Sequence, residues 1–107
     1  MAVISEALLY GEAVGLDRKT VLDIFDAGAG NSMVLNAKRE KLIKGDFSTH
    51  FSSALIYKDL HYLHELAKKL KKPLLTGSTI KEIFSLTLSD GSEHLDFSGV
   101  YEAIKRL

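Results

Sequence analysis

Residues 53–72, SALIYKDLHYLHELAKKLKK, carry the strongest fold signal in this chain of 107 residues. Apolar side chains recur there at intervals of three and four residues, the spacing that places them on one side of an α-helix; they are Ile56, Leu60, Leu63, Ala67 and Leu70. The pattern predicts one long helix over 53–72 with a buried apolar stripe. Pro73 is the only proline of the chain. We expect it to end the helix, because it lacks a backbone N–H and disfavours a helical Lys72.

Helical spacing continues on both sides of this segment. Polar caps and glycine stops bound five further predicted helices: 2–14 before Gly15, one from Asp17 to Gly28, one capped by Asn31 or Ser32 that runs through Ile43 to Gly45, one capped by Thr76 or Ser78 that ends before Gly91, and a short last helix capped by Ser98. Candidate core residues in these helices are Val21, Leu22, Ile24, Phe25, Met33, Val34, Leu35, Leu42, Ile80, Ile83, Phe84, Leu88, Val100, Ile104 and Leu107. Residues 47–52 are predicted to form a polar loop. Since six helices with short connections leave no room for a sheet, the predicted fold is all-α, a single domain of about six helices.

The composition favours an ordinary globular domain. The hydrophobic fraction of 46% and the charged fraction of 26% are average for such proteins. Fourteen basic and 14 acidic residues cancel, so no global field attracts nucleic acid or an anionic membrane. Cysteine is absent, which excludes disulfides and thiolate catalysis. No apolar run approaches the roughly 20 residues that cross a bilayer, and no signal peptide is recognisable; the predicted location is the cytoplasm.

Two segments carry weak signals for a binding site. Residues 28–33, GAGNSM, start like a dinucleotide fingerprint, but Met33 stands where the third glycine is required and a helix precedes the segment. A helix-connecting loop is therefore predicted. His61, His64 and Glu65 lie within about one helical turn, yet no further ligand follows at a metal-binding spacing. No metal site is predicted.

A third segment is harder to dismiss. An aromatic-bearing loop that includes Phe51 leads directly into the long helix, where Lys58 and Asp59 stand among apolar residues. A lysine near a cleft is a mobile cation suited to a phosphate, ribose or carboxylate. The alternative is a solvated ion pair on a helix flank, and spacing by itself favours that alternative. At the other end of the same helix, four lysines complement the helix dipole, which explains them better than a nucleic-acid patch; they are Lys68, Lys69, Lys71 and Lys72.

A series of short motifs runs through the chain in a fixed order: Ser5-Glu6-Ala7, Gly11-Glu12-Ala13, Gly15-Leu16-Asp17, Gly45-Asp46-Phe47, Phe51, Lys58-Asp59-Leu60, Ala67, Lys72-Pro73-Leu74 and Asp96-Phe97-Ser98-Gly99-Val100. In this order and spacing the chain resembles the helical C-terminal domain of the β-hydroxyacid dehydrogenases, the family of 3-hydroxyisobutyrate dehydrogenase. The resemblance covers essentially all of 2–107. It implies that residues 1–107 are the C-terminal domain of a 6-phosphogluconate dehydrogenase-like enzyme, whose N-terminal Rossmann domain lies outside this chain.

The resemblance also implies an activity. Such enzymes are NAD- or NADP-dependent oxidoreductases that interconvert a small β-hydroxy acid and its semialdehyde. Their C-terminal helices form one wall of the active-site cleft and assemble into homodimers or tetramers. Lys58 matches the family's cofactor-contacting lysine, and Phe51 and Asp59 match positions that line the cleft. Asp96 and Ser98 are expected to fix the start of the last helix rather than touch substrate.

The family's general base is a lysine on the interdomain helix, upstream of the position that Met1 occupies. No residue of this chain matches it, so the chain alone is expected to be inactive. Because the first helical pattern opens at Ala2 without a cap residue, we expect Met1 to lie inside a longer helix. The alternative is a free-standing helical interaction or dimerisation module without catalysis. A DNA-binding helical domain is a third hypothesis, which the balanced charge does not favour.

Overall fold

The computed structural model describes residues 1–107 and consists of helices and their connections. The elements in chain order are α1 Ala2–Ala13, α2 Arg18–Ala27, α3 Met33–Lys44, α4 Ser53–Leu70, α5 Leu75–Ser89, a 3₁₀ turn Phe97–Gly99 and α6 Val100–Lys105. The one β pairing is an isolated antiparallel bridge between Ser52 and Asp96. The predicted all-α domain of about six helices is therefore confirmed. No helix is both long enough and apolar enough to span a bilayer.

The apolar core lies where α1, α2, α3 and α6 meet. Its buried members are Leu8, Val21, Leu22, Leu35, Leu42, Phe47 and Tyr101. Gly11 lets α1 and α2 approach closely, since a Cβ at this position would lie only 2.6 Å from a methyl group of Val21. Helices α4 and α5 pack against each other as a hairpin, and α5 also contacts α6. The result is an elongated molecule of 44 × 31 × 24 Å.

Side-chain caps begin α2 and α3 as the sequence predicts. The Asp17 carboxylate accepts from the backbone N–H of Thr20, and Ser32 Oγ accepts from the N–H of Leu35 at 3.1 Å. These bonds satisfy donors that a helix N-terminus otherwise leaves free. Gly45 ends α3 in the left-handed region, with φ +65°, where a residue without a Cβ carries no steric penalty.

The predicted end and buried stripe of the long helix are both wrong in part. Helix α4 ends at Leu70 rather than at residue 72, because Lys71 adopts a left-handed conformation with φ +52°. Ser53 is the only fully buried residue of α4. Within the predicted stripe, Leu63 is 44% exposed and Leu70 60% exposed. The reason is that α4 packs against little besides α5 and the 3₁₀ turn, which leaves much of its surface uncovered.

Two predicted caps also differ from the structure. Helix α5 begins at Leu75 after Leu74, with no side-chain cap, so Thr76 and Ser78 lie inside its first turn. The last helical segment starts with the 3₁₀ turn, and Asp96 rather than Ser98 caps it. Five predicted core residues are instead exposed because they lie at helix ends or on outer faces: Ile24, Met33, Val34, Leu88 and Leu107.

A polar cluster joins four helices beside the core. We call it the Arg18 cluster; it consists of Glu12, Arg18 and Tyr101. The Arg18 guanidinium donates to Glu12 Oε1 at 2.6 Å, to the Leu42 carbonyl at 2.9 Å and to the Tyr101 hydroxyl at 2.6 Å. The fully buried Tyr101 donates in turn to Glu12 Oε2 at 2.5 Å. Burial and the bond to Glu12 raise the pKa of the Tyr101 phenol, so the hydroxyl stays protonated and remains a donor.

Replacing Tyr101 by phenylalanine is expected to lower the free energy of unfolding by about 1–3 kcal/mol, because Arg18 and Glu12 each lose a partner in a partly buried site. Urea unfolding followed by circular dichroism measures the change. Tyr10→Phe is the matched control: Tyr10 is 76% exposed, so this variant should leave the unfolding midpoint in place. Equal midpoints for the two variants would contradict the structural role of the Arg18 cluster.

Candidate functional site

The loop of residues 45–52 leads from α3 to α4, and contacts with the core and with α3 hold its first half in place. Phe47 is buried in the core. The buried Lys41 donates through Nζ to the Ser48 carbonyl at 2.5 Å and to Ser48 Oγ at 3.2 Å. Asp46 Oδ1 accepts from the Ser48 N–H at 3.0 Å. These contacts define the path of the loop as far as Ser48.

The predicted site residues lie at the end of this loop and in the second turn of α4. Phe51 is 38% exposed, and its ring meets that of Phe97 edge to face with centroids 6.3 Å apart. Lys58 and Asp59 are both about half exposed at the side chain. Lys58 Nζ lies 3.9 Å from Asp59 Oδ1, which is a loose pair in water and leaves the ammonium free to bind an anion.

A buried ion pair missed by the sequence analysis lies behind Phe51. The carboxylate of Asp96 is fully buried and accepts from Lys38 Nζ at 3.0 Å. It also accepts from the backbone N–H groups of His50 and Phe51 at 3.1 Å each, and from Ser98 N–H at 3.1 Å and Oγ at 2.5 Å. We call these groups the Asp96 cluster. Asp96 does fix the start of the last helical segment, as predicted, but it also contacts the loop.

Electrostatics keep this carboxylate ionised. Burial alone raises the pKa of Asp96, but the hydrogen bonds from Ser98, the Phe51 N–H and the Lys38 ammonium outweigh burial and hold the pKa well below its usual range. Lys38 Nζ also lies 4.7 Å from the centre of the Phe97 ring. The sequence offered little to identify Lys38, since a lysine in mid-helix normally indicates a solvated face.

The segments with weak binding-site signals form connections and contacts between helices. The glycine segment 28–33 connects α2 to α3, as predicted. His61 Nδ1 lies 3.1 Å from Lys81 Nζ, and His64 Nδ1 lies 3.5 Å from Ser78 Oγ. No group of three or more His, Asp or Glu side chains is arranged to bind a metal ion. The lysines at the end of α4 lie on its surface, where Lys68 pairs with Glu65 at 3.7 Å.

An open apolar groove of about 340 Å³ lies between α1, α2 and the start of α3. It is lined by Val3, Ile4, Ala7, Ile24, Phe25, Gly28, Gly30 and Leu35. Val3 and Ile24 are more than half exposed. Together with the uncovered surface of α4, the groove leaves a large amount of apolar side chain in contact with solvent.

Residues 1–104 match a family model described as "NAD-binding of NADP-dependent 3-hydroxyisobutyrate dehydrogenase". The chain belongs to this family. The resemblance that the sequence motifs indicated is thereby confirmed. The match covers nearly the whole chain. The family assignment therefore does not depend on one short motif.

Individual relatives agree with the family assignment. The 2-hydroxy-3-oxopropionate reductase of Escherichia coli (strain K12) is 32% identical over 102 residues, which cover 95% of this chain and 35% of that protein. The solved structure of a 3-hydroxyisobutyrate dehydrogenase from Salmonella typhimurium superimposes with a TM-score of 0.89 at 26% identity, over 94% of this chain and 35% of the other. The matched part is the C-terminal portion of that enzyme.

A third relative has a name of another kind. The cytokine-like nuclear factor N-PAC of Gallus gallus is 28% identical over 103 residues, which cover 96% of this chain and 19% of that protein. The chain thus spans about a third of the length of the two oxidoreductases and about a fifth of the nuclear factor. In each of these three proteins the matched segment is therefore part of a longer chain.

Proposed function

We propose that residues 1–107 are the C-terminal helical domain of an NAD(P)-dependent β-hydroxyacid dehydrogenase and form one wall of its active-site cleft. The match of residues 1–104 to the family model carries this proposal, and the close superposition on a 3-hydroxyisobutyrate dehydrogenase supports it. An N-terminal Rossmann domain would hold most of the nucleotide. The reaction would interconvert a small β-hydroxy acid and its semialdehyde.

Lys58 is the residue of this chain that we assign to the cofactor. Its ammonium is half exposed and only loosely paired with Asp59, so it is free to face the ribose or pyrophosphate of a nucleotide. The partly exposed Phe51 ring would exclude water from the cleft. Asp59 would orient Lys58 or an adjoining loop. The nicotinamide supplies the hydride chemistry.

The proton has to be moved by another part of the enzyme. Oxidation of a hydroxyl carbon removes a hydride from carbon and a proton from oxygen, and the proton requires a base within hydrogen-bond reach. Lys58 is assigned to the cofactor and is not given that role. In the family that this chain resembles, the general base is a lysine on the helix that joins the two domains, and no residue of this chain matches it. We therefore place the base on that helix and expect residues 1–107 alone to be inactive.

The same domain is proposed to form an oligomer interface with a second copy of the chain. Support comes from α4, which exposes a row of large apolar side chains: Leu55, Tyr62, Leu63, Leu66 and Leu70. Contiguous exposed apolar side chains of this kind often mark surfaces that a partner covers. A homodimer or tetramer would cover it.

A second candidate function is a helical interaction module without catalysis. The observation that favours it is the relative named as a nuclear factor, which matches 96% of this chain. The coding sequence upstream of Met1 distinguishes the two functions. An in-frame Rossmann domain with a lysine on the joining helix supports the dehydrogenase; a stop codon directly upstream favours the interaction module.

The activity prediction compares two purified proteins. The longer protein consists of residues 1–107 together with the proposed N-terminal Rossmann domain. It is expected to oxidise short β-hydroxy acids with NAD⁺ or NADP⁺, whereas residues 1–107 alone produce no reduced cofactor. Absorbance at the wavelength of the reduced nicotinamide measures turnover for a panel of substrates. Turnover by residues 1–107 alone would contradict the assignment of the base to the joining helix, and an inactive longer protein would contradict the dehydrogenase.

Lys58→Ala in the longer protein should raise the Michaelis constant for the cofactor, because it removes a charge-assisted contact worth about 1.5–3 kcal/mol. Steady-state kinetics with varied cofactor and saturating substrate measures the effect. Lys44→Ala is the matched control, since Lys44 is also an exposed lysine with one loose carboxylate partner, but at the end of α3. Equal cofactor constants for the two variants would show that Lys58 is only a surface residue.

Leu66→Glu should shift the chain from a dimer or larger assembly towards monomer, because it places a charge in the centre of the apolar row on α4. Light scattering after size-exclusion chromatography measures the mass. Met33→Glu is the control, since Met33 is 88% exposed on a different helix. A monomeric parent chain, or equal loss of assembly in both variants, would argue against an interface on α4.

A further inference from the structure

The segment before α4 and the segment before the 3₁₀ turn pair along their backbones. The Asp96 N–H donates to the Phe47 carbonyl at 2.9 Å, and the Phe97 N–H donates to the Phe51 carbonyl at 2.8 Å. The Ser53 N–H donates to the Leu95 carbonyl at 2.9 Å. These bonds place residues 47–53 beside residues 95–97, although more than 40 residues separate the two segments in sequence.

Together with this backbone pairing, the Asp96 side chain fixes the backbone of Phe51. Its Oδ1 binds the N–H of Phe51 while the Phe97 N–H binds the carbonyl of Phe51, so both backbone polar groups of Phe51 are held by neighbouring residues of one segment. The neighbouring N–H of His50 shares the same oxygen. Fixing the peptide groups on both sides of a Cα leaves the side chain only its own rotamers.

Lys38 contacts both Asp96 and the aromatic ring against which Phe51 packs. Its ammonium bonds to Asp96 Oδ1 and lies 4.7 Å from the centre of the Phe97 ring. Phe97 is the ring on which Phe51 packs edge to face. One buried ion pair therefore contacts both the backbone of Phe51 and its aromatic neighbour. The 38% of Phe51 that remains exposed is the part that a ligand can reach.

We infer that Asp96 is a positioning residue: its Oδ1, paired with Lys38, sets the place of the Phe51 ring in the active-site cleft. The inference rests on the proposed function for the role of Phe51. Asp96 itself is fully buried and does not touch the ligand. A supporting residue of this kind fixes the geometry of a contacting residue, and small displacements of such residues lower turnover.

The first experiment measures amide hydrogen exchange by NMR in the 107-residue chain and needs no activity. In the parent, the N–H groups of His50 and Phe51 should be protected. The double variant Lys38→Met/Asp96→Ala removes the acceptor without leaving a buried lone charge; exchange at these two amides should rise on the order of tenfold or more relative to amides in α1. Lys38→Met/Asp96→Asn, which likewise leaves no buried lone charge, should retain most of the protection, because the amide oxygen of asparagine can still accept from the N–H groups of His50 and Phe51.

Tyr101→Phe serves as the destabilised control in the same measurement. It lies in the Arg18 cluster, which shares no hydrogen bond with Asp96, and it should leave the relative exchange at His50 and Phe51 unchanged. Unprotected amides in the parent would overturn the inference, even if the double variant fails to fold. Equal relative exchange in Lys38→Met/Asp96→Ala and the parent would overturn it as well.

The second experiment uses the longer active protein and a double-mutant cycle with Phe51→Ala. Lys38→Met/Asp96→Ala and Phe51→Ala should each lower kcat/KM for the hydroxy acid on the order of tenfold. Combined, they should lower it little further, because both act through the Phe51 ring. Additive losses would overturn the inference. An unchanged kcat/KM in Phe51→Ala alone would instead remove Phe51 from the cleft, while the exchange result would still report on its positioning.

Discussion

A buried carboxylate determines how the second half of this molecule is connected to the first. Asp96 bonds to Lys38 of α3, to the backbone before α4 and to Ser98 of the 3₁₀ turn. Removing either charge would leave the other buried without a partner, which is among the most destabilising changes a protein can undergo. The end of the loop and the entry into the 3₁₀ turn both depend on this one group.

Ionic clusters matter here because the apolar core is small. Seven buried residues form it, and most belong to α1, α2 and α3. Burying a charged pair contributes little net free energy, since desolvation opposes the attraction. What such a pair does supply is a single arrangement of hydrogen bonds that alternative packings cannot satisfy. The Arg18 cluster and the Asp96 cluster thus fix the helix arrangement at two points that the core alone would specify loosely.

The uncovered surfaces are consistent with a unit that works inside a larger protein. The chain spans about a third of the oxidoreductases to which it is related. Helix α4 presents Lys58 and Asp59 at one end and exposed leucines further along. An apolar groove opens between α1 and α2. These are the features that the proposed cleft wall requires: a cation, an aromatic edge, and apolar surface against which another domain or a second copy could pack.

The sequence by itself determined the number and order of the helices, the cap at Asp17, the stop at Gly45 and the family, because these depend on local spacing and on ordered motifs. It left Asn31 and Ser32 as alternative caps of α3, and Ser32 is the one that the structure uses. Burial was decided only by the tertiary structure. A period of 3.6 residues shows which side of α4 is apolar, but not whether another element covers that side; here Leu63 and Leu70 remain exposed. Lys38 is buried because it pairs with Asp96, which lies 58 residues further along the chain. No local pattern records a contact over that separation, since it exists only once α3 and the segment before α6 have been brought together.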